Sequence, residues 1–84
     1  NYISCISFCA ESSILAVACG LEIYLYLIKI ITDNQSSVKI MSTCFITLSN
    51  ESTINSLVWK DHQTLISLGK DITIWKSSQL SNID

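Results

Sequence analysis

The clearest structural pattern in the chain is INSLVWKDHQTLISLGKDITIWK, residues 54–76. Its first segment places apolar or aromatic side chains at Ile54, Leu57 and Trp59, and the polar segment KDHQT follows. The apolar run LISLG comes next, and after Lys70-Asp71 the stretch closes with the alternating segment ITIW. Short runs rich in β-branched and aromatic residues, separated by polar turns, are typical of strands. The stretch therefore predicts three consecutive β-strands.

The same pattern occurs earlier in the chain, over residues 3–26. ISCISF, which begins at Ile3, has the apolar spacing of INSLVW, which begins at Ile54. The turn CAESS, the apolar run ILAVAC, a brief break and the strand IYLY follow in the same order. The two copies lie 51 residues apart at their start and 49 at their end. An internal repeat of about 20–50 residues is typical of stacked supersecondary units.

The repeat bears on the apolar segment Ile14–Ile31, 18 residues with only two charged side chains. A helical membrane span needs about 20 apolar residues, and Glu22 at the middle would cost roughly 2.5–3.5 kcal/mol on insertion. The second copy carries Lys70-Asp71 at the equivalent break and is unable to span a bilayer. We predict two strands joined by a turn at residues 20–22. A small membrane-anchored protein that uses residues 14–31 is the alternative.

The bulk composition excludes some functions. The chain has 84 residues, net charge −2 and only five basic residues, all Lys and scattered, which argues against a nucleic-acid binder. Hydrophobic residues make up 49% and charged residues 14%, against about 25% charged in typical globular proteins. Apolar surface therefore needs covering from outside. The chain starts at Asn1 and shows no signal peptide, so we expect a piece of a longer intracellular protein, cytoplasmic or nuclear.

Residues 54–76 resemble a repeat of the WD-repeat β-propellers, and residues 3–26 fit the same frame more loosely. In that family, each repeat has the pattern V-x-x-V-x-F/W, followed by a polar turn, a strand like L-A-S-G, an Asp-containing turn and I-x-I-W. The resemblance implies an all-β fold of antiparallel four-stranded propeller blades, here an incomplete β-propeller. It also implies a structural hydrogen-bond network, whose places are held here by Ser67, Asp71 and Trp75.

The chain departs from the family pattern at several positions. Ser49-Asn50 stands where the family has Gly-His, and Asp71 lies four residues before Trp75, where six is usual. The first copy has no such network, since its corresponding residues are Val17, Leu21 and Tyr26. Stability is therefore expected from apolar packing between blades, by Ile6, Phe8, Tyr26, Leu57 and Trp59.

The resemblance divides the chain into two blades. Residues 1–48 form the first, with strands near 3–8, 14–19, 22–30 and 38–48, the last after the polar connector 32–37. Residues 49–84 form the second, incomplete blade, with strands near 54–59, 65–69 and 72–76 and a polar tail. Loops at 9–13, 32–37 and 60–64 share one rim, and loops at 20–22, 49–53 and 69–71 share the other.

The partners expected from this division are proteins. About 1.75 blades cannot close a ring of four to eight, so the partners are further propeller blades and other protein subunits, with no nucleic acid, membrane or small-molecule substrate. The predicted function is a non-catalytic interaction scaffold in a multi-subunit assembly. A blade donated to a partner propeller is a further alternative.

Few residues in the sequence indicate catalysis or metal binding. The four cysteines, at 5, 9, 19 and 44, are predicted to be reduced and packed in the core, with disulfides or zinc as the alternatives. His62 is the only histidine and the best catalytic candidate, yet no motif frames a nucleophile and no Gly-rich phosphate loop is present. We predict no enzyme activity, no cofactor and no metal.

Overall fold

The structure, a computed structural model, describes residues 2–32 and 38–76, apart from the side chains of residues 38, 39 and 45. This part of the chain contains strands and turns but no helix. The strands are β1 (Ile3–Cys9), β2 (Ile14–Cys19), β3 (Glu22–Thr32), β4 (Val38–Ser49), β5 (Ile54–Asp61), β6 (Thr64–Gly69) and β7 (Ile72–Lys76). The prediction of an all-β fold is confirmed. Most of the predicted connector and the polar tail lie outside the described residues.

The strands form two antiparallel sheets in which neighbours in space are neighbours in the chain. The first sheet has the order β1-β2-β3-β4, and the second has the order β5-β6-β7. Strand β3 runs past its predicted end to Thr32, because it pairs with β4 as far as Thr32 opposite Val38. The pairing makes a long hairpin at the β3–β4 end of the first sheet.

The segment Ile14–Ile31 forms a strand, a turn and a strand, as predicted. Gly20 adopts a positive φ of 64° in the turn between β2 and β3, a conformation that glycine reaches without steric cost. The two strands pair in register from Ile14 opposite Leu27 to Cys19 opposite Glu22. Among residues 2–32 and 38–76, no helix is long and apolar enough to cross a membrane.

The core lies between the two sheets. On the first sheet every second residue of β2 is buried, and the next strand alternates in the same way, as a strand with one covered face does. We call this side the first inner face; it comprises Ile14, Ala16, Ala18, Ile23 and Leu25, all at most 8% exposed. We call the facing side of the second sheet the second inner face; it comprises Leu57, Trp59, Leu65, Ser67 and Trp75.

Strands β1 and β5 lie side by side and join the sheets by hydrogen bonds. The Trp59 Nε1–H donates to the carbonyl oxygen of Ser7 at 3.0 Å. Near the other end of β5, the Ser4 hydroxyl donates to the carbonyl of Ile54 at 2.8 Å. These bonds satisfy polar groups at the edge of an apolar interface, where an unpaired group would be costly. They fix the position of one sheet on the other.

The turns meet at two rims. At one rim the Asn50 amide donates to the carbonyl of Leu21 at 2.7 Å, and the Ile54 amide donates to that of Gly20 at 3.1 Å. These bonds join the 20–22 and 49–53 loops, which were predicted to share a rim. At the other rim, His62 in the β5–β6 turn forms an ion pair with Glu11 in the β1–β2 turn.

The four cysteines are free. Cys9 is buried, and Cys5 and Cys19 are half-buried. Cys44 is exposed, which corrects its predicted place in the core. The reason lies in the register, because Cys44 opposes Tyr26 beside the irregularity of the β3–β4 pairing, on the side of the sheet away from the core.

Candidate functional site

The most conspicuous surface features are two apolar sheet faces that the other sheet does not cover. Residues directly opposite each other in neighbouring strands point to the same side of a sheet. From this register, the first outer face includes Ile6, Phe8, Leu15, Val17, Tyr24 and Tyr26, with Thr47 and Cys44 of β4 opposite the two tyrosines. The second outer face includes Val58, Ile66, Leu68, Ile72 and Ile74, with Ser56 opposite Leu68. Contiguous exposed apolar patches of this kind mark interaction sites on soluble proteins.

Residues at equivalent repeat positions have opposite exposures in the two sheets. Ile23 of β3 is 0% exposed, whereas Ile72, which lies 49 residues later in the second copy, is 71% exposed. Leu25 and Ile74 form a second such pair, at 0% and 52%. The side of the first sheet that faces the core thus corresponds to the side of the second sheet that faces outward.

The converse holds on the other side of each sheet. Leu57 of β5 is 5% exposed in the core, whereas Ile6, its equivalent 51 residues earlier, is 59% exposed. If the two sheets faced each other with like sides, both residues would be buried. The two sheets are instead stacked back to front. The first inner face contacts the side of the second sheet that corresponds to the first outer face. Such an arrangement is heterologous and leaves two different surfaces free, one at each end of the stack.

The predicted packing residues divide between these surfaces. Leu57 is buried, and Trp59 packs against the core from its half-buried position, so both lie between the sheets. Ile6, Phe8 and Tyr26 do not: they lie on the first outer face, and Ile6 and Phe8 are 59% and 50% exposed. They therefore take no part in the contact between these two sheets, and their role in packing between blades stays a prediction. Their repeat positions point away from the second sheet.

Two of the three predicted network residues are joined by a hydrogen bond. The Trp75 Nε1–H donates to the Ser67 hydroxyl oxygen at 3.1 Å, between neighbouring strands β7 and β6. Ser67 is 1% exposed, so this bond supplies a partner for a hydroxyl that would be costly to bury alone. Asp71 is exposed in the β6–β7 turn, where its carbonyl accepts a hydrogen bond from the Gly69 amide at 3.0 Å.

A second polar contact lies near this network, and the sequence did not predict it. The Thr73 hydroxyl donates to Asn50 Oδ1 at 3.1 Å, and Asn50 Nδ2 donates to the carbonyl of Ser52 at 2.9 Å. Asn50 occupies the place where the resembling family has His. The replacement of His by Asn50 was the signal available in the sequence. Thr73 lies 23 residues further along the chain, so its contact with Asn50 is visible only in the folded chain.

These groups line a small pocket at the rim, formed by Ser49, Asn50, Glu51, Ser52, Asp71, Thr73 and Trp75. The polar atoms of Asn50 and Thr73 are already engaged with each other. Within the part of the chain that the structure describes, no three metal-ligating side chains come together. The pocket presents a polar rim beside the half-buried indole of Trp75.

Two ionisable groups are perturbed, both by local hydrogen bonds. The pKa of Tyr24 on the first outer face is raised because its hydroxyl donates to Glu22 Oε1 at 3.0 Å, and the Glu22 charge disfavours a phenolate. The pKa of Asp61 is lowered because its carboxylate accepts the backbone N–H of Gln63 at 2.8 Å. Neither group belongs to a cluster typical of acid–base catalysis.

No family model matches the chain, and no curated protein or solved structure matches it either. We therefore base the proposed function on the repeat, the back-to-front stacking and the two outer faces.

Proposed function

We propose that this chain is a non-catalytic protein-interaction scaffold, built as about 1.75 blades of a WD-repeat-type β-propeller. The observation that carries the proposal is the back-to-front stacking of the two sheets. In a propeller, equivalent residues of successive blades point in the same direction around the ring. In two adjacent blades, one of two equivalent residues therefore points into the shared contact and the other points away from it, which agrees with the opposite exposures of Ile23 and Ile72.

The order of the strands in the two sheets also supports the propeller proposal. Each sheet follows chain order from one edge to the other, and the first strands of both, β1 and β5, are the ones that lie together. In a propeller the first strand of each blade is innermost, where blades converge. The bond between Trp75 and Ser67 also joins two places of the hydrogen-bond network that the WD-repeat resemblance implies.

The outer faces favour binding of proteins over chemistry on small molecules. Most residues of the two faces are apolar or aromatic, and their polar groups include the hydroxyls of Tyr24, Tyr26, Thr47 and Ser56. Apolar faces of sheets are complementary to other sheets or to apolar protein surfaces. The best catalytic candidate, His62, is 48% exposed and pairs with the 70% exposed Glu11, as solvated surface residues commonly do.

Recovery of protein partners from the natural source tests this function. The tagged full-length protein is purified under native conditions, and we expect at least one partner in fixed stoichiometry. Phe8→Asp on the first outer face and Ile72→Asp on the second place a charge where a partner would desolvate it. At least one of the two should reduce recovery strongly.

Leu21→Asp is the matched control, since Leu21 is an exposed apolar residue in the β2–β3 turn, off both faces, at 49% exposure. It should leave recovery unchanged. The scaffold proposal fails if no partner is recovered in fixed ratio, or if all three variants behave like the parent. A partner that is itself a propeller would favour the donated blade, the alternative scaffold role.

A further inference from the structure

We propose that the second outer face is covered by the first outer face of another copy of this chain. The copies would stack in the arrangement that the two sheets already adopt within one chain. The inference rests on the back-to-front stacking used for the proposed function, and adds to it the identity of the occupant and the face that it uses.

The contact inside the chain defines which surfaces fit together. The first inner face is covered by four large side chains of the second sheet, namely Leu57, Trp59, Leu65 and Trp75. Matched by strand register, which offsets β2 from β6 by 50 residues, the covered positions correspond to Ile66, Leu68, Ile72 and Ile74 of the second outer face. The repeat maps the covering positions onto the first outer face, at Ile6, Phe8, Leu15 and Tyr26. Each chain thus carries both halves of one more such contact, on opposite sides.

Side-chain volumes compensate across the two contacts. Within the chain, the large indoles of Trp59 and Trp75 belong to the covering side, and the covered side has small residues at Ala16 and Ala18. In the contact between copies, the covering positions hold the smaller rings of Phe8 and Tyr26. The covered positions equivalent to the two alanines hold Ile66 and Leu68. Apolar interfaces tolerate such exchanges when the total volume is preserved.

The charges of the two faces also permit the contact. None of the residues that define either outer face is charged, although Glu22 lies on the same side of β3 as Tyr24. An unpaired buried ion is the costliest defect of an interface, so the Glu22 carboxylate needs a partner beside the contact. Tyr24, at the margin of the first outer face, already donates its hydroxyl to Glu22. The contact is heterologous, so copies add head to tail, in a closed ring or an open series.

Half-blocked variants, in which a charge is placed on one of the two outer faces, test this inference in the purified 84-residue chain. Phe8→Asp blocks the first outer face, and Ile72→Asp blocks the second; both sites are at least 50% exposed in the single chain, so the fold should tolerate the changes. The mass of each species is measured by sedimentation equilibrium over a concentration series. The parent chain and the Leu21→Asp control should both exceed the 9.4 kDa of one chain and grow with concentration.

Each half-blocked variant should sediment as a single chain, because one of its two complementary faces is lost. An equimolar mixture of the two should form a dimer and stop there, since the free second face of one variant fits the free first face of the other. Misfolding would not restore association on mixing, so the mixture keeps the test decisive. Far-ultraviolet circular dichroism of each variant confirms strand content.

Three results would overturn the inference. The parent chain could stay at 9.4 kDa at every concentration; this would leave the scaffold proposal standing, because recovery of other partners tests that separately. One variant could associate with itself as strongly as the parent, which would indicate pairing of like faces. The mixture could remain monomeric while the parent associates, which would place the contact elsewhere.

Discussion

The back-to-front stacking predicts very different costs for the same substitution at two equivalent positions. Ile23→Ala removes the same atoms as Ile72→Ala, at the same place in the repeat, but Ile23 is 0% exposed in the core and Ile72 is 71% exposed. A buried Ile→Ala change costs about 2–5 kcal/mol, from lost burial and the cavity left behind. The exposed change should cost at most about 1 kcal/mol, mainly through strand preference.

Urea unfolding, followed by the fluorescence of Trp59 and Trp75, measures both costs. With a slope of about 1 kcal/mol per M for so small a chain, a loss of 2 kcal/mol lowers the midpoint by about 2 M. Total stability of 84 residues is roughly 4–13 kcal/mol, so Ile23→Val, at about 0.5–1.5 kcal/mol, provides a milder variant if Ile23→Ala does not fold. All variants are made with Phe8→Asp to keep the chain from associating.

Equal costs at the two positions would contradict this prediction. Such a result would mean that Ile23 and Ile72 are buried alike, as in two sheets that face each other with like sides. The back-to-front arrangement would then be wrong, and with it the support for the propeller and for head-to-tail association. Unchanged slopes across the series are needed for the comparison, because a changed slope signals an altered unfolded or native state.

Three further predictions concern single contacts. Gly69→Ala should destabilise the chain by about 1–3 kcal/mol in the same assay, since a Cβ would clash with the Thr53 carbonyl oxygen; a neutral result would mean that Thr53 does not lie against Gly69. Trp59→Phe should cost about 1–3 kcal/mol by losing the bond to the Ser7 carbonyl, whereas an unchanged midpoint would argue against that link between the sheets. The lowered pKa of Asp61 means that its ionised form stabilises the fold above the ordinary value of 3.8 and that this contribution is lost as pH falls through the folded pKa. Stability measured against pH should therefore fall less steeply below 3.8 in Asp61→Asn than in the parent, and identical profiles would contradict the assignment.

Much of the strand layout was predictable because local pattern and long-range pairing agree. The break at Gly20 was recognised in the sequence from the second copy, and the positive φ there gives its physical reason. The network was only partly predictable. Ser67 and Trp75 could be placed by the repeat frame, whereas the bond between Asn50 and Thr73 depends on how a rim loop folds back over the third strand.

Local sequence pattern is sufficient to predict strands and a twofold repeat, because alternation and turn residues act on the backbone nearby. Which side of each strand is buried depends on the packing of the two sheets. Ile6 and Leu57 are alike in residue type, spacing and repeat position, yet one is exposed and the other lies in the core. Alternation gives each strand two sides but does not say which side meets a neighbour. That choice depends on how one sheet stacks on the next, and this stacking exists only once the whole chain has folded.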